Sequence, residues 1–159
     1  MAKIALNGAE ITDVTVSNHI TYTKREQTGT GGGQCTAWDE YGMCIAYAPT
    51  YPIYDDIEYK TSAIVKGTAK STVTNVSIEG KAPIINGDKT EERDTYTIPS
   101  GGTYKSGAHT SAQGSITNGN SNNVYCNGKL IAIQGSTVQT HASTNTTIKG
   151  TSSTVNIGG

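Results

Sequence analysis

Two segments of this chain, each beginning at a histidine, repeat the same order of residue types. The first reads HTSAQGSITNGNSNNVYCNG from His109, and the second reads HASTNTTIKGTSSTVNIGG from His141. In both, an isoleucine follows at the same distance, and then come a glycine, small polar residues and a strand-like run ending in glycine. A partial third copy leads from Lys66 to Ile78. Because such repetition indicates a repeated structural unit, about three copies of one unit are predicted.

The residues after the strand-like run are repeated as well. Gly80–Gly87 parallels Gly128–Gly135, because in both a Gly-Lys pair opens a short apolar run that stops at glycine. The start of the chain, Ile4-Ala5-Leu6-Asn7-Gly8, is interpreted as the strand end that precedes such a run. Leu6 is therefore expected to be equivalent to the aliphatic or Cys position of the other copies, which is Ile78, Cys126 and Ile157.

The patterning favours an all-β fold. No window shows apolar residues at helical spacing, whereas short alternating runs such as 11–16, 71–78 and 153–157 recur between glycines and asparagines. Apolar residues make up only 34% of the chain, there is no Phe, and charged residues make up 16%. A chain that is poor in both apolar and charged residues needs another source of stability, which could be a regular β ladder, a bound metal or a partner.

A single domain over residues 1–159 is predicted, with two interruptions of the repeat. The longer is an insertion at about 23–59, which is rich in Gly and Tyr and holds the only Trp, Trp38. The shorter runs from about 94 to 108. The shorter one is polar, and both are interpreted as loops attached to the β scaffold. For the longer one a partly ordered lobe is the alternative, because Trp38 and its Tyr neighbours need something to bury against, and it is expected to be dispensable for the scaffold.

Charge and hydropathy exclude several classes of function. The net charge is -1 and no basic stripe exists, so nucleic-acid binding is not expected. The N-terminus turns polar at Asn7, and no apolar run reaches transmembrane length, so neither a secretory signal peptide nor a membrane span is predicted. Synthesis in the cytoplasm is the expectation.

The three histidines, His19, His109 and His141, are the candidate metal ligands. Their number equals that of the predicted repeats, and His109 and His141 occupy matching positions. Neutral imidazole binds zinc, iron or copper well, so one ligand per repeat predicts one structural ion, zinc or iron. The alternative is three unrelated surface histidines.

The cysteines leave more than one interpretation open. Cys126 is a candidate fourth ligand, but its expected equivalents are aliphatic, which favours a place in the core. Cys35 and Cys44 lie in the Gly-rich insertion, where a disulfide, a metal ligand or no role at all fits the sequence. An odd number of cysteines argues against a full disulfide framework.

Two acidic clusters are interpreted as solvated loops rather than as catalytic carboxylates. One comprises Asp55, Asp56 and Glu58, and the other is the charged run Glu91-Glu92-Arg93-Asp94. The run Gly29-Thr30-Gly31-Gly32-Gly33 lacks the following Lys-Ser/Thr of a phosphate-binding loop.

The motif of a short strand, a turn ending in Gly-Lys, an apolar run, Gly and then His resembles the PAAR-repeat family. It stands here as Val124–Gly135 followed by Thr140-His141, and again as Val76–Asp88. The Pro-Ala-Ala-Arg tetrapeptide itself is absent, so the resemblance is to PAAR-like relatives. It implies a conical β-structure with three approximate repeats and a metal-pinned tip. Such proteins cap the homotrimeric β-helical spike, VgrG-like or phage-spike-like, of type VI secretion systems and contractile phage tails.

The expected function is thus that of a structural spike tip, one copy per trimer, that leads membrane puncture and touches the target membrane transiently. It would be carried on a virion or injection particle and delivered to the target cell envelope, with the insertion free to bind an effector or receptor. No enzymatic activity is expected. The alternatives are a β-solenoid receptor-binding or adhesin module and, last, a small hydrolase with a His-bound metal.

Overall fold

The computed structural model describes residues 1–120 and 123–158, and its regular elements are all β-strands. The predicted all-β class is therefore confirmed for this part of the chain. The three remaining residues of the predicted domain lie outside the described ranges. The thirteen strands are β1 (Ala2–Lys3), β2 (Val14–Gly32), β3 (Cys35–Trp38), β4 (Cys44–Tyr47), β5 (Thr50–Lys70), β6 (Lys89–Thr95), β7 (Gly102–Ser106), β8 (Ser115–Ile116), β9 (Tyr125–Cys126), β10 (Lys129–Leu130), β11 (Thr137–Gln139), β12 (Asn145–Thr147) and β13 (Asn156–Ile157).

Seven of these strands form one sheet in the order β12-β11-β8-β6-β5-β2-β7. β5 and β6 pair antiparallel from Ile64↔Thr95 to Lys70↔Lys89. The remaining strands form three antiparallel two-stranded ladders, β1 with β13, β9 with β10, and β3 with β4. Each of these ladders, including the one that joins the two ends of the chain, is antiparallel.

The chain divides into two compact units. The first comprises 1–20, 61–97 and 107–159, and the second comprises 21–60 and 98–106. The strands β2 and β5 begin in one unit and continue in the other. The predicted insertion at 23–59 falls inside the second unit.

A closed ring of three backbone hydrogen bonds joins distant parts of the first unit. The N–H of Ala5 donates to the carbonyl of Ala132, that of Ala132 to Ile84, and that of Ile84 back to Ala5, over 2.8–3.0 Å. All three residues are fully buried. Each of the three residues donates a hydrogen bond to one of the other two and accepts one from the remaining residue. The ring therefore fixes the register of the three segments relative to one another.

The same three segments turn in the same way directly after the ring. Each reaches a glycine with positive φ, 89° at Gly8, 92° at Gly87 and 91° at Gly135. A side chain would be strained in that conformation, which explains why glycine recurs at the end of each apolar run. After each glycine, the next N–H donates back across the turn to Leu6, Ile85 or Ile133.

The hydrogen bonds correct one predicted equivalence. Leu6 matches Ile85 and Ile133, not Cys126, because each accepts the bond that closes a turn. The Cys126 position instead matches Ile78 and Ile157, since each of these three pairs with a residue at the start of an apolar segment. For Ile78 and Cys126 that segment follows directly, and for Ile157 it is the first segment of the chain. The sequence was misleading because Asn-Gly ends both kinds of segment.

Two apolar clusters fill the first unit. One is built from small and β-branched residues at the ring and on the adjoining strands: Ala5, Ala9, Ile11, Val65, Ala69, Ile84, Ile116, Ala132, Val138 and Ile148. The other surrounds the short ladders: Ile4, Leu6, Val73, Ile85, Cys126, Ile131 and Ile157. All of these residues belong to the first unit, so its apolar core is built without the residues of the insertion.

The second unit is largely strand, which corrects the prediction that residues 23–59 form loops. The Thr- and Tyr-rich halves of β2 and β5 continue through it, and β7 pairs with β2. A disulfide between Cys35 and Cys44 staples the β3–β4 hairpin, which settles the alternatives left open for these two residues. The unit exposes large apolar side chains, among them Trp38 at 60%.

Among the described residues there is no helix long and apolar enough to cross a bilayer.

A carboxylate fastens the C-terminal segment to the first unit. Glu79, at a turn with positive φ, accepts hydrogen bonds from the backbone N–H groups of Ser153, Thr154 and Val155 and from the hydroxyls of Ser153 and Thr154. The backbone bonds from Ser153 and Thr154, with the Thr154 hydroxyl, lower the pKa of Glu79 from 4.5 to about 2.

We expect Glu79 to make folding more pH-dependent in acid. Because its pKa is lower in the folded chain, the stabilisation is complete above about pH 4.5 and is lost as the pH falls towards 2. Between pH 6 and pH 2, the melting temperature of Glu79→Gln should therefore decrease less with falling pH than that of the wild type. Glu40→Gln, at an exposed position, is the control; equal slopes for all three proteins would contradict this role.

Candidate metal centre

Three histidines from separate parts of the first unit bring their rings together. His19 lies in β2, His109 precedes β8, and His141 follows β11. The ring centroids are 5.6 Å apart for His19 and His109, 5.8 Å for His19 and His141, and 4.8 Å for His109 and His141. The segments that Ala5, Ile84 and Ala132 join by backbone hydrogen bonds thus lead to one group of three imidazoles.

Asp94, near the end of β6, lies among the three rings. Its Oδ2 is 3.0 Å from His19 Nε2 and 3.1 Å from His109 Nδ1, and it accepts the His109 backbone N–H at 2.8 Å. Burial alone would raise the pKa of Asp94. The bonds from His109 and His19 and the charge of His141 outweigh it and hold the pKa below its usual value.

A second carboxylate, Glu92, holds His141 from the other side. Its Oε2 accepts the His141 backbone N–H at 2.8 Å and lies 2.6 Å from His141 Nδ1. His109 and His141 are therefore held in the same way: in each, the backbone N–H and the Nδ1 atom both contact one carboxylate oxygen. The side chains of Glu92 and Asp94 are both fully buried.

Two buried polar atoms at the centre make no hydrogen bond. They are Asp94 Oδ1 and His141 Nε2, which lie 3.2 Å apart in an unsuitable orientation. Buried polar atoms are nearly always partnered, so such a pair calls for an explanation. In a tetrahedral site with bonds of about 2.0 Å, neighbouring ligand atoms are about 3.3 Å apart. The orphaned pair has the spacing of two ligands of one ion.

The donor set fits a transition metal. One atom from each of His19, Asp94, His109 and His141 lies within 4.8 Å of the others, and together they can hold a metal ion. Three imidazoles and a carboxylate suit first-row divalent metals, since imidazole binds zinc and iron and carboxylate is an accepted fourth ligand. The side chain of His109 is 48% exposed, so an ion could reach the group from solvent.

The structure separates the predicted ligand candidates. It brings His19, His109 and His141 together, including His19, for which the sequence shows no matching position. Cys126 is a free, buried thiol in the second apolar cluster, as its core interpretation predicted. The fourth donor beside the histidines is Asp94 instead.

The interpretation of Glu91-Glu92-Arg93-Asp94 as a solvated loop is wrong. These residues belong to β6, and the side chains at alternate positions, Thr90, Glu92 and Asp94, point inward. The alternation in the sequence could have shown that three polar groups share one face of a strand. It could not show that the face is buried, because the imidazoles that bind the carboxylates come from distant segments.

The acidic group Asp55, Asp56 and Glu58 is exposed, in keeping with its solvated interpretation, although it lies in β5 rather than in a loop.

No protein-family model, curated protein or solved structure matches the chain.

We expect the fourth ligand to be a carboxylate and not a thiolate. Asp94→Asn should lower zinc affinity strongly, because the amide loses the charge that faces three imidazoles. Cys126→Ala should leave zinc affinity unchanged, while costing about 1–2 kcal/mol of unfolding free energy through the small cavity it creates. Competition with a chromogenic chelator measures both. The reverse pattern, with only the Cys126 variant losing zinc, would contradict the assignment.

Proposed function

We propose that this chain is a PAAR-like spike tip, a metal-pinned structural protein that caps a homotrimeric β-helical spike of a contractile injection machine. The observation that carries the proposal is the ring formed by Ala5, Ile84 and Ala132. Three segments of one chain use the same bonds in cyclic order around it. A single chain with such an arrangement suits a threefold partner, because each segment can meet one subunit.

Three valines support a docking surface of the same symmetry. Val76, Val124 and Val155 each stand two residues before a member of the Ile78–Cys126–Ile157 set, and they are 37%, 37% and 40% exposed. Residues two apart in an extended segment point to the same side, so each valine continues the apolar face of a neighbour in or against the second apolar cluster, where Cys126 and Ile157 are buried and Ile78 is half-buried. Apolar contacts of this kind would provide the affinity, since the net charge of -1 gives little electrostatic steering.

The proposed ion, zinc or iron, has a structural role. Four protein ligands complete a tetrahedral shell and leave no position for the water that a hydrolytic site needs. This favours the spike tip over the metal-dependent hydrolase. The free energy of metal binding also contributes to folding. It would stabilise the strand ends around the histidines, where polar side chains take the place of an apolar core.

The second unit favours an additional recognition role, as in a receptor-binding module. Its stapled hairpin exposes Trp38, Tyr41, Met43, Ile45 and Tyr47. Monomeric proteins seldom leave so many large apolar groups together in solvent without a partner. A disulfide persists in oxidising surroundings, in keeping with a protein that is made in the cytoplasm and acts outside it on a particle.

The decisive experiment is the stoichiometry with a recombinant homotrimeric β-helical spike from a contractile particle of the same organism. Native mass spectrometry should find one copy of this chain per spike trimer. Three copies per trimer would contradict the proposal, because each subunit would then bind a separate chain.

Charge introduced at the valines should disrupt docking. Val76→Asp or Val124→Asp should weaken binding to the same spike by about tenfold or more, because a carboxylate would be desolvated at an apolar contact. Ile64→Asp is the matched control, since Ile64 is equally exposed, at 40%, but lies in β5 beside Thr95. An equal loss in all variants, or none at the valines, would sink the proposed surface.

A further inference from the structure

Glu92 occupies a space that two glycines create for it. It pairs with Gly67 across β5 and β6, and a Cβ on Gly67 would lie 2.9 Å from the Glu92 Cγ. On the other side, a Cβ on Gly114 would collide with Glu92 Oε1. A side chain at Gly114 would displace the carboxylate, and one at Gly67 would collide with the Glu91 carbonyl and the Glu92 Cγ, so the lack of side chains at both glycines leaves room for a buried glutamate.

Both oxygens of Glu92 are used, and only as acceptors. Oε1 accepts the Thr90 hydroxyl at 2.5 Å, and the Thr90 oxygen in turn accepts the Gly114 N–H at 2.9 Å. Oε2 accepts the His141 N–H and faces His141 Nδ1. Since a carboxylate cannot donate, the proton of a neutral His141 must sit on Nδ1, which leaves the lone pair on Nε2. That nitrogen is the buried atom without a hydrogen bond.

The charges at this place are unbalanced once the three imidazoles are neutral, as metal ligands must be. Glu92 and Asp94 have fully buried side chains and lie on opposite sides of the His141 ring. Within residues 1–120 and 123–158, neither carboxylate forms an ion pair with a lysine or arginine; their only charged contacts are the histidines. Buried charges are normally paired or bound to metal. Two carboxylates with three neutral imidazoles have a charge that a divalent cation would cancel.

We propose that Glu92 is a positioning residue of the metal centre, one that touches no metal itself. It fixes the Nδ1–H tautomer of His141, directs Nε2 to the ion, and supplies the second negative charge that suits the centre to a divalent cation. This inference rests on the proposed metal site and deepens it, since it concerns a residue outside the four ligands. Outer carboxylates of this kind orient imidazole ligands and raise their basicity.

The test compares zinc affinity in wild type, Glu92→Gln and Glu91→Gln by chelator competition. Glu92→Gln keeps the size of the side chain and an oxygen that can accept from Nδ1, but it removes the charge, and loss of such outer partners lowers metal affinity about 10- to 100-fold. Glu91→Gln changes the neighbouring exposed carboxylate, whose ion-pair partner is Lys70, and should bind zinc as the wild type does.

A second measurement needs no variant. Long-range proton–nitrogen NMR of the zinc-loaded wild type should show His141 protonated at Nδ1 and coordinated through Nε2. Coordination through Nδ1, or wild-type affinity in Glu92→Gln, would overturn the role of Glu92 while leaving the metal centre intact. Failure of the wild type to take up zinc or ferrous iron would overturn the metal centre and this inference together.

Discussion

The ring of hydrogen bonds between Ala5, Ile84 and Ala132 is the constraint on which the first unit depends. It joins three segments that are far apart in the chain, and each segment leaves the ring through a turn with glycine at positive φ. Buried alanine at two of the three positions allows the backbones to approach closely. Because the register at the ring is fixed, the direction of every strand that leaves it is fixed as well.

What lies at the far ends of those strands follows from this register. The strand after Ile84 carries Glu92 and Asp94 inward, the chain after Ala132 reaches His141, and the chain after Ala5 reaches His19. A polar group made of two carboxylates and three imidazoles is a poor substitute for an apolar core unless its charges are compensated. The divalent ion proposed above would provide that compensation and would link the ends of strands that the ring of hydrogen bonds has already aligned.

The sequence predicts part of this well. Alternating β-branched runs between glycines are sufficient to indicate an all-β chain, and the aliphatic residues at the equivalent positions, Ile78 and Ile157, are sufficient to place the Cys126 thiol in the core. Sequence reasoning failed where burial depends on distant partners. Glu92 and Asp94 look like surface charges in a hydrophilic run, and only the convergence of His109 and His141 on them makes a buried site. Leu6 was misplaced for a similar reason, since Asn-Gly ends two different kinds of segment and only the hydrogen bonds distinguish them.

Metal content measured together with thermal stability will show whether a metal ion completes the first unit. Elemental analysis and melting curves should be obtained for the purified wild type, the chelated wild type and His141→Ala. We expect one transition-metal ion per wild-type chain, and a lower melting temperature whenever the ion is removed, by chelation or by loss of His141. A wild type without stoichiometric metal, or a His141→Ala protein with unchanged metal content and melting temperature, would contradict it.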